Sequence, residues 1–293
     1  MTTKNIALRR SFLFVPGANS KAVEKTKSLP ADCIIFDLED AVAPDAKNAA
    51  RVTVVDAIAG GGYGSRQLII RTNAINSEWF ESDIEAAIAT NCAAILLPKI
   101  SSKADLDKVV GFVNAHNGGK SVALWAMIET PMAIINIAQI CSAAETLPLY
   151  GIILGLNDMA KDTGAKLDAN RAAFHYAMAA AVNAASAYGI AAIDAVYNDI
   201  VDMDSFAKQT EQARDFGFDG KCVIHPTQIA PCNQIFSPSP SEIEAARAIV
   251  AAFSDPANFG KAVINVNGQM AELLHLEMAK KLLATAETIQ KML

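Results

Sequence analysis

Eight short apolar runs, alternating with longer helical patterns, constrain what this chain can fold into more than any other feature. They are SFLFV (11–15), CIIF (33–36), QLIIR (67–71), AAILLP (93–98), VALWAMI (122–128), YGIILG (150–155), IAAIDAV (190–196) and KCVIH (221–225). Each is nearly continuous in apolar character, as expected of parallel strands buried on both faces. The segments between them carry helix signals. Thr130 with Pro131 reads as an N-cap followed by proline at the first helical position. Ser102 with Asp105 reads as an acidic form of the capping box, and Gly189 and Gly217 as helix ends. Eight strand–helix alternations predict a (β/α)8 barrel, with a doubly wound open sheet as the runner-up.

After residue 230 the pattern changes. FSPSPSEIEAARAIVAAF reads as a loop and a helix opened by Ser241 and Glu244 as a capping box. KAVINVNGQM reads as a strand or hairpin, and AELLHLEMAKKLLATAETIQKM as a terminal helix. The expected organisation is therefore a catalytic barrel over 1–230 and a lid or oligomer-contact extension over 231–293. No repeat or low-complexity linker marks a second independent domain.

Composition narrows the partners. With 52% apolar and 19% charged residues the chain has the makings of a large core. A net charge of −6 gives no electrostatic footprint for nucleic acid. The Ala-rich stretch AAFHYAMAAAVNAASAYGIAAI carries His175, Asn183 and Ser186 and fits a buried helix followed by a strand, not a membrane span. The opening residues show neither the apolar core nor the cleavage site of a secretory signal. The five cysteines form no CxxC pair and read as reduced core residues of a cytoplasmic protein.

A barrel places its chemistry at the carboxyl ends of its strands. Just past the runs stand VPGANSK, DLEDAV, RTNAINSEW, PKI, ETP, LGLNDMAKDTG, DAVYND and HP. Glu129 and Asp158 end adjacent strands and could supply two hard oxygen ligands for Mg²⁺, or simply cap the helices that follow. Arg71 emerges from an apolar strand and suits carboxylate recognition, a salt bridge to the Asp37–Asp40 cluster, or both. Lys99 could face the pocket or be solvated. His225 could touch substrate or be a hydrogen-bonded structural residue. His116, His175 and His275 lack ligand spacing and read as structural. The VPGAN loop ahead of Lys21 and Lys25 could present amides to phosphate. Walker A, GxGxxG and GxSxG patterns are absent from the sequence.

Taken together, RRSFLFVPGANS, ADCIIFDLEDAVAPDAK, IRTNAINSEWF, LLPKI, MIETP, LGLNDMAKDTGA, IDAVYNDI and GFDGKCVIHPTQI closely resemble the citrate lyase β-subunit-like family. The resemblance runs from about residue 9 to about residue 290 in one order and spacing. It implies a (β/α)8 TIM barrel of the phosphoenolpyruvate/pyruvate type with a C-terminal helical and hairpin extension, Mg²⁺-dependent and trimeric or hexameric. By motif match Glu129 and Asp158 become metal ligands and Arg71 the clamp for an oxoacid carboxylate. Phe14, Lys25, Asn157, Ile224 and His225 match positions lining the site of the CoA or acyl-carrier thioester. Asn19 matches the PGAN of citrate lyase β subunits, where malyl-CoA lyases often have arginine.

In the tail the family commonly delivers an aspartate as acid/base onto a neighbouring subunit, where this chain has Glu272 in GQMAE. A misplacement of about 1 Å can cost about a hundredfold in rate, so that extra methylene is the most informative departure. The resulting expectation is reversible C–C cleavage of a 3-hydroxy-3-carboxyacyl thioester, with Arg71 and Glu272 in catalysis and Glu39 and Asp40 supporting the site. Asp37, Glu39 and Asp40 are expected to orient Arg71, metal-bound waters or nearby lysines and not to bind the ion directly. The alternatives are thioester hydrolysis in the same pocket, or a thioester-binding subunit without activity of its own.

Overall fold

The computed structural model describes residues 7–116 and 122–292. All eight apolar runs are strands: β1 (Ser11–Pro16), β2 (Cys33–Asp37), β3 (Gln67–Arg71), β4 (Ala94–Leu97), β5 (Leu124–Ile128), β6 (Leu149–Leu154), β7 (Ala191–Asp194) and β8 (Gly220–Val223). Every neighbouring pair is parallel, and β8 pairs back onto β1, so the sheet closes into a barrel and the open-sheet alternative falls away.

The connecting helices are α1 (Ser20–Lys25), α2 (Lys47–Gly60), α3 (Phe80–Ala89), α4 (Lys103–His116) and α5 (Pro131–Ile135). They continue with α6 (Ile137–Ser142), α7 (Leu156–Thr163), α8 (His175–Ala187), α9 (Met203–Phe216) and α10 (Pro226–Ile235). Their ends follow local chemistry. Thr130 caps α5 by accepting from Ala133 N–H at 3.1 Å, with Pro131 next in the chain. Ser102 and Asp105 exchange bonds of 2.9 and 3.3 Å across the start of α4. Gly217 closes α9 in the left-handed conformation that glycine adopts without steric cost.

Inside the barrel, alternate residues of the strands build one cluster, which includes Phe12, Cys33, Ile35, Ile69, Leu96, Trp125, Met127, Ile153, Ile193 and Cys222. Trp125 is the bulkiest of them. Its indole fits because the facing residue on β6 is Gly151, where an added Cβ would lie 2.4 Å from the ring. Phe12 packs on the indole with ring centroids 5.2 Å apart, and the Arg9 guanidinium sits 5.3 Å from its centre. This packed interior leaves room for a ligand only at the ends of the strands.

The chain divides into two compact units, the barrel of Arg9–Gln234 and a unit that takes in Ile235 onward. In the second, α11 (Pro240–Ser254) packs along α12 (Leu273–Met292), and β9 (Val263–Val266) pairs antiparallel with β10 (Gln269–Glu272). Asn267 and Gly268 join the two strands, both at positive φ (52° and 84°), as a type I′ hairpin turn requires. The capping box of α11 is Ser239 with Glu242, two residues before the expected Ser241 and Glu244. Both pairs have the spacing. Pro240 decides between them, because its fixed φ suits the first helical position and so makes Ser239 the cap.

Candidate active site

The inward parity of the strands continues past their carboxyl ends and selects the side chains that face the barrel mouth. Phe12 leads to Phe14, Ile35 to Asp37, Ile69 to Arg71, Met127 to Glu129 and Cys222 to Ile224. Phe14, Asp37, Arg71, Met127, Glu129, Cys222 and Ile224 line one cavity of about 390 Å³, together with Asp40, Leu154, Gly155, Asn157, Asp158, Val196 and Asn198.

Glu129 is the most constrained of these residues. It is 1% exposed, and its Oε1 accepts the Lys99 N–H at 2.7 Å. Its Oε2 lies over Gly155, where an added Cβ would come within 2.8 Å of that oxygen and 2.5 Å of Glu129 Cβ. Glycine at 155 is thus a steric requirement of the carboxylate on the neighbouring strand. Burial, then the charge of Glu39, push the Glu129 carboxyl up to about 8, with Arg71 and the Lys99 amide opposing and Asp158 adding to the rise. Asp158 stands in the first turn of α7, half-buried.

Arg71 is held before any ligand arrives. Its Nε and Nη2 donate to the two Asp37 oxygens at 2.7 and 2.6 Å. Asp37 in turn accepts the N–H groups of Glu39 (2.8 Å) and Ala41 (3.2 Å), so it also shapes the loop behind it. Burial works against the guanidinium charge, but Asp37 outweighs it and keeps Arg71 firmly protonated. The guanidinium carbon lies 4.9 Å from the Phe14 ring centre. Nη1 is 2.9 Å from Glu39 Oε2 and 3.8 Å from Asp40 Oδ2, while its hydrogen bond goes to Met127 Sδ at 3.6 Å.

Lys99, open to either reading from sequence, turns onto this cluster: Nζ donates to Glu39 Oε1 at 2.8 Å. Burial pushes the Glu39 carboxyl up, with Arg71 and Lys99 opposing. Asn157 and Asn198 form a reciprocal amide pair at 3.1 and 2.8 Å across the α7 and β7 loops. The buried Gln228 carboxamide accepts the Ile224 and His225 N–H groups at 2.9 and 3.3 Å, and His225 Nδ1 is engaged with Thr227 Oγ1 at 2.8 Å. Lys25 is not brought into the cavity; it borders a separate surface depression with Ser20, Lys21, Glu24 and Ser28. Glu272 belongs to the C-terminal unit, where it ends β10 and donates its N–H to His275 Nδ1 at 2.9 Å.

Sequence reasoning did not single out Gly155, Met127, Leu154, Val196, Cys222 or Asn198. The parity rule would have found Gly155, two residues past the inward Ile153. Cys222 lines the cavity, but burial raises its thiol well above the usual range, which removes it as a nucleophile near neutrality. None of the five cysteines forms a disulfide, and four of them are buried. Among the described residues no helix is long and apolar enough to cross a membrane.

Among the described residues no three His, Cys, Asp or Glu side chains converge as a metal cage. Glu129 and Asp158 instead face one cavity as two carboxylates, a donor set that a divalent cation fits. The Glu129 carboxyl is pushed up by burial and then by negative neighbours, and hard oxygen donors face an open cavity.

Fold and cavity together define a (β/α)8-barrel enzyme with an acidic, arginine-bearing pocket at the face such barrels use for catalysis. The chain belongs to the HpcH/HpaI aldolase/citrate lyase family, whose profile matches residues 10–226. It is 41% identical to a (3S)-malyl-CoA thioesterase of Cereibacter sphaeroides over 96% of this chain and 95% of that one. It is 34% identical to citrate lyase subunit beta of Escherichia coli over 95% and 93%. A solved structure of protein CitE from Mycobacterium tuberculosis, in complex with magnesium, acetoacetate and coenzyme A, superposes with a TM-score of 0.78 at 28% identity, covering 97% of this chain and all of that one.

Proposed function

We propose that this chain is a Mg²⁺-dependent lyase that cleaves, or in reverse condenses, a 3-hydroxy-3-carboxyacyl thioester of the malyl, citramalyl or citryl type. The products are an oxoacid (glyoxylate, pyruvate or oxaloacetate) and an acyl thioester. The observation that carries the reading is a single cavity shared by Glu129, Asp158 and Arg71. Its support is the magnesium, acetoacetate and coenzyme A of the M. tuberculosis neighbour.

Glu129 and Asp158 would hold the ion, which when bound supplies Lewis-acid polarisation of the oxygen on the carbinol carbon. Arg71 binds the adjacent carboxylate through Nη1, and its orientation is prepaid by Asp37. Phe14, Met127, Leu154 and Val196 exclude water from the acyl chain. Asp40, the exposed acid of the cavity wall, takes the hydroxyl proton at its carboxylate, while Glu39 holds its place between Lys99 and Arg71. As the carbon–carbon bond breaks, a general acid gives a proton to the thioester α-carbon, a part the resemblance gives to Glu272 of a neighbouring subunit.

A cavity of about 390 Å³ takes the acyl group and the thioester end, not a whole coenzyme. The remainder of a CoA or acyl-carrier arm lies outside, where Lys25 and His225 are the proposed contacts, while Asn157 and Ile224 meet the thioester end at the cavity wall. The extension, 231–293, serves as the contact in a homotrimer or hexamer, which light scattering measures. The free thiols suit the reducing cytoplasm.

The test is a panel of hydroxyacyl-CoA thioesters, with Mg²⁺ and with EDTA, analysed for every product. Glu129→Ala and Asp158→Ala are each expected to lower Mg²⁺-dependent cleavage by about a thousandfold or more. Near-normal turnover of either variant overturns the assignment. The second reading is hydrolysis, favoured by the 41% identity to the malyl-CoA thioesterase. Free 2-hydroxy diacid with CoA means hydrolase; oxoacid with acyl-CoA means lyase.

A further inference from the structure

Lys99 is a lysine in a backbone conformation suited to glycine. It follows Pro98 just after β4, and its φ is +56°, where a Cβ crowds the backbone. Such a conformation persists in an L-residue only when its surroundings hold it there, and it concentrates at functional sites. Two contacts hold this one. The amide donates to Glu129 Oε1 at 2.7 Å and the ammonium to Glu39 Oε1 at 2.8 Å. Glycine would supply the first without strain, so the side chain must be accounted for by the second.

Glu39 stands beside Nη1 of Arg71. Asp37 takes Nε and Nη2 of the guanidinium, whereas Nη1 has only the weak bond to Met127 Sδ at 3.6 Å and is the end best placed for an incoming carboxylate. Glu39 Oε2 lies 2.9 Å from Nη1 and yet makes no hydrogen bond. Lys99 holds the other oxygen of the same carboxylate. Without that hold, a 5% exposed glutamate would turn onto its nearest remaining cation, Nη1.

We propose that Lys99 is a positioning residue that tethers Glu39 through its ammonium and so holds it to a 2.9 Å ion pair with Nη1 of Arg71 that lacks a hydrogen bond, a contact the substrate carboxylate can displace. The inference rests on the role of Arg71 in the proposed function.

The experiment measures binding, not turnover. Pyruvate is titrated calorimetrically into the full chain with Mg²⁺ present, Mg²⁺ is titrated alone, and thermal melting is recorded for each variant. Lys99→Gly keeps the amide and relaxes the backbone. Its Tm is expected to equal or exceed the native value, with Mg²⁺ affinity within about twofold and pyruvate affinity about tenfold weaker. Lys99→Arg restores most of the pyruvate affinity. In a Glu39→Gln background, Lys99→Gly changes pyruvate affinity less than about twofold, because the competing charge is gone.

Unchanged pyruvate binding in Lys99→Gly overturns the tether. So does a loss of Tm in step with binding, or an equal loss in the Glu39→Gln background. A native chain that binds neither Mg²⁺ nor pyruvate overturns the functional reading and the tether with it. Native binding with an indifferent Lys99→Gly overturns the tether alone.

Discussion

Two clusters of buried charge lie on the two faces of one barrel wall, and they differ in how complete they are. On the outward face, Asp194 of β7 receives Arg171 Nη1 at 2.7 and 2.8 Å and Lys221 Nζ at 2.6 Å. Both cations are bonded further: Arg171 donates to Gln212 and the Gln209 carbonyl, and Lys221 to the Ala195 carbonyl. Burial opposes ionisation of Asp194, but Lys221 and Arg171 overcome it and hold the carboxyl below its ordinary range. On the inward face, Glu129 is forced the other way and a Glu39 oxygen has no hydrogen bond. Buried charge alone therefore does not mark a site. What separates the clusters is unfinished bonding beside an open cavity, which a cation and an anionic substrate would complete.

The comparison can be broken first at the closed cluster. Asp194→Leu strands two buried cations, and about 3–5 kcal/mol of stability should go with it. Denaturant unfolding measures this loss, and the folded fraction should still bind Mg²⁺ with native affinity. Full stability combined with lost Mg²⁺ binding would show that the outward cluster serves the site after all. At the open cluster the balance reverses. Arg71→Lys keeps the charge but loses the planar fork on Asp37, so kcat/KM should fall about a hundredfold while Tm falls less than in Asp194→Leu. A Tm loss as large as that of Asp194→Leu would make Arg71 framework too.

The same contrast explains what was legible in the sequence. The eight strands could be read because parallel strands buried on both faces leave continuous apolar runs, and the inward parity then carries Arg71 and Glu129 to the mouth. The strand ends also paired Glu129 with Asp158, and the resemblance decided between metal ligands and helix caps for that pair. Gly155 escaped notice because its part is an absence, the Cβ that Glu129 cannot tolerate. Lys99 could not be assigned because a positive φ at lysine leaves no trace in residue type. The cap of α11 slipped by two residues because SPSPSEIE holds two capping boxes, and only the proline between them breaks the tie. The closed cluster was invisible, since Arg171, Asp194 and Lys221 come from distant segments and no local pattern joins them.

The effect that is smallest per pH unit is also the most diagnostic, because the two clusters should answer pH in opposite senses. Glu129, raised from 4.5 to about 8, binds a proton in the folded chain that the unfolded chain releases across that window. Its contribution to metal-free stability is therefore present below about pH 4.5 and is lost as pH rises toward 8, by about 1.4 kcal/mol per unit at most. Asp194, lowered, contributes stability that is present above its unfolded value and is lost as pH falls through its folded one. An ion on Glu129 must displace the proton, so Mg²⁺ affinity should rise by up to about tenfold per pH unit below 8 and level off above it. Titration calorimetry in buffers of different ionisation enthalpy counts that proton directly. Glu129→Gln should abolish its release, and Asp194→Asn should leave it intact. Release of a full proton in Glu129→Gln would move the titration to another group and erase the distinction between the clusters.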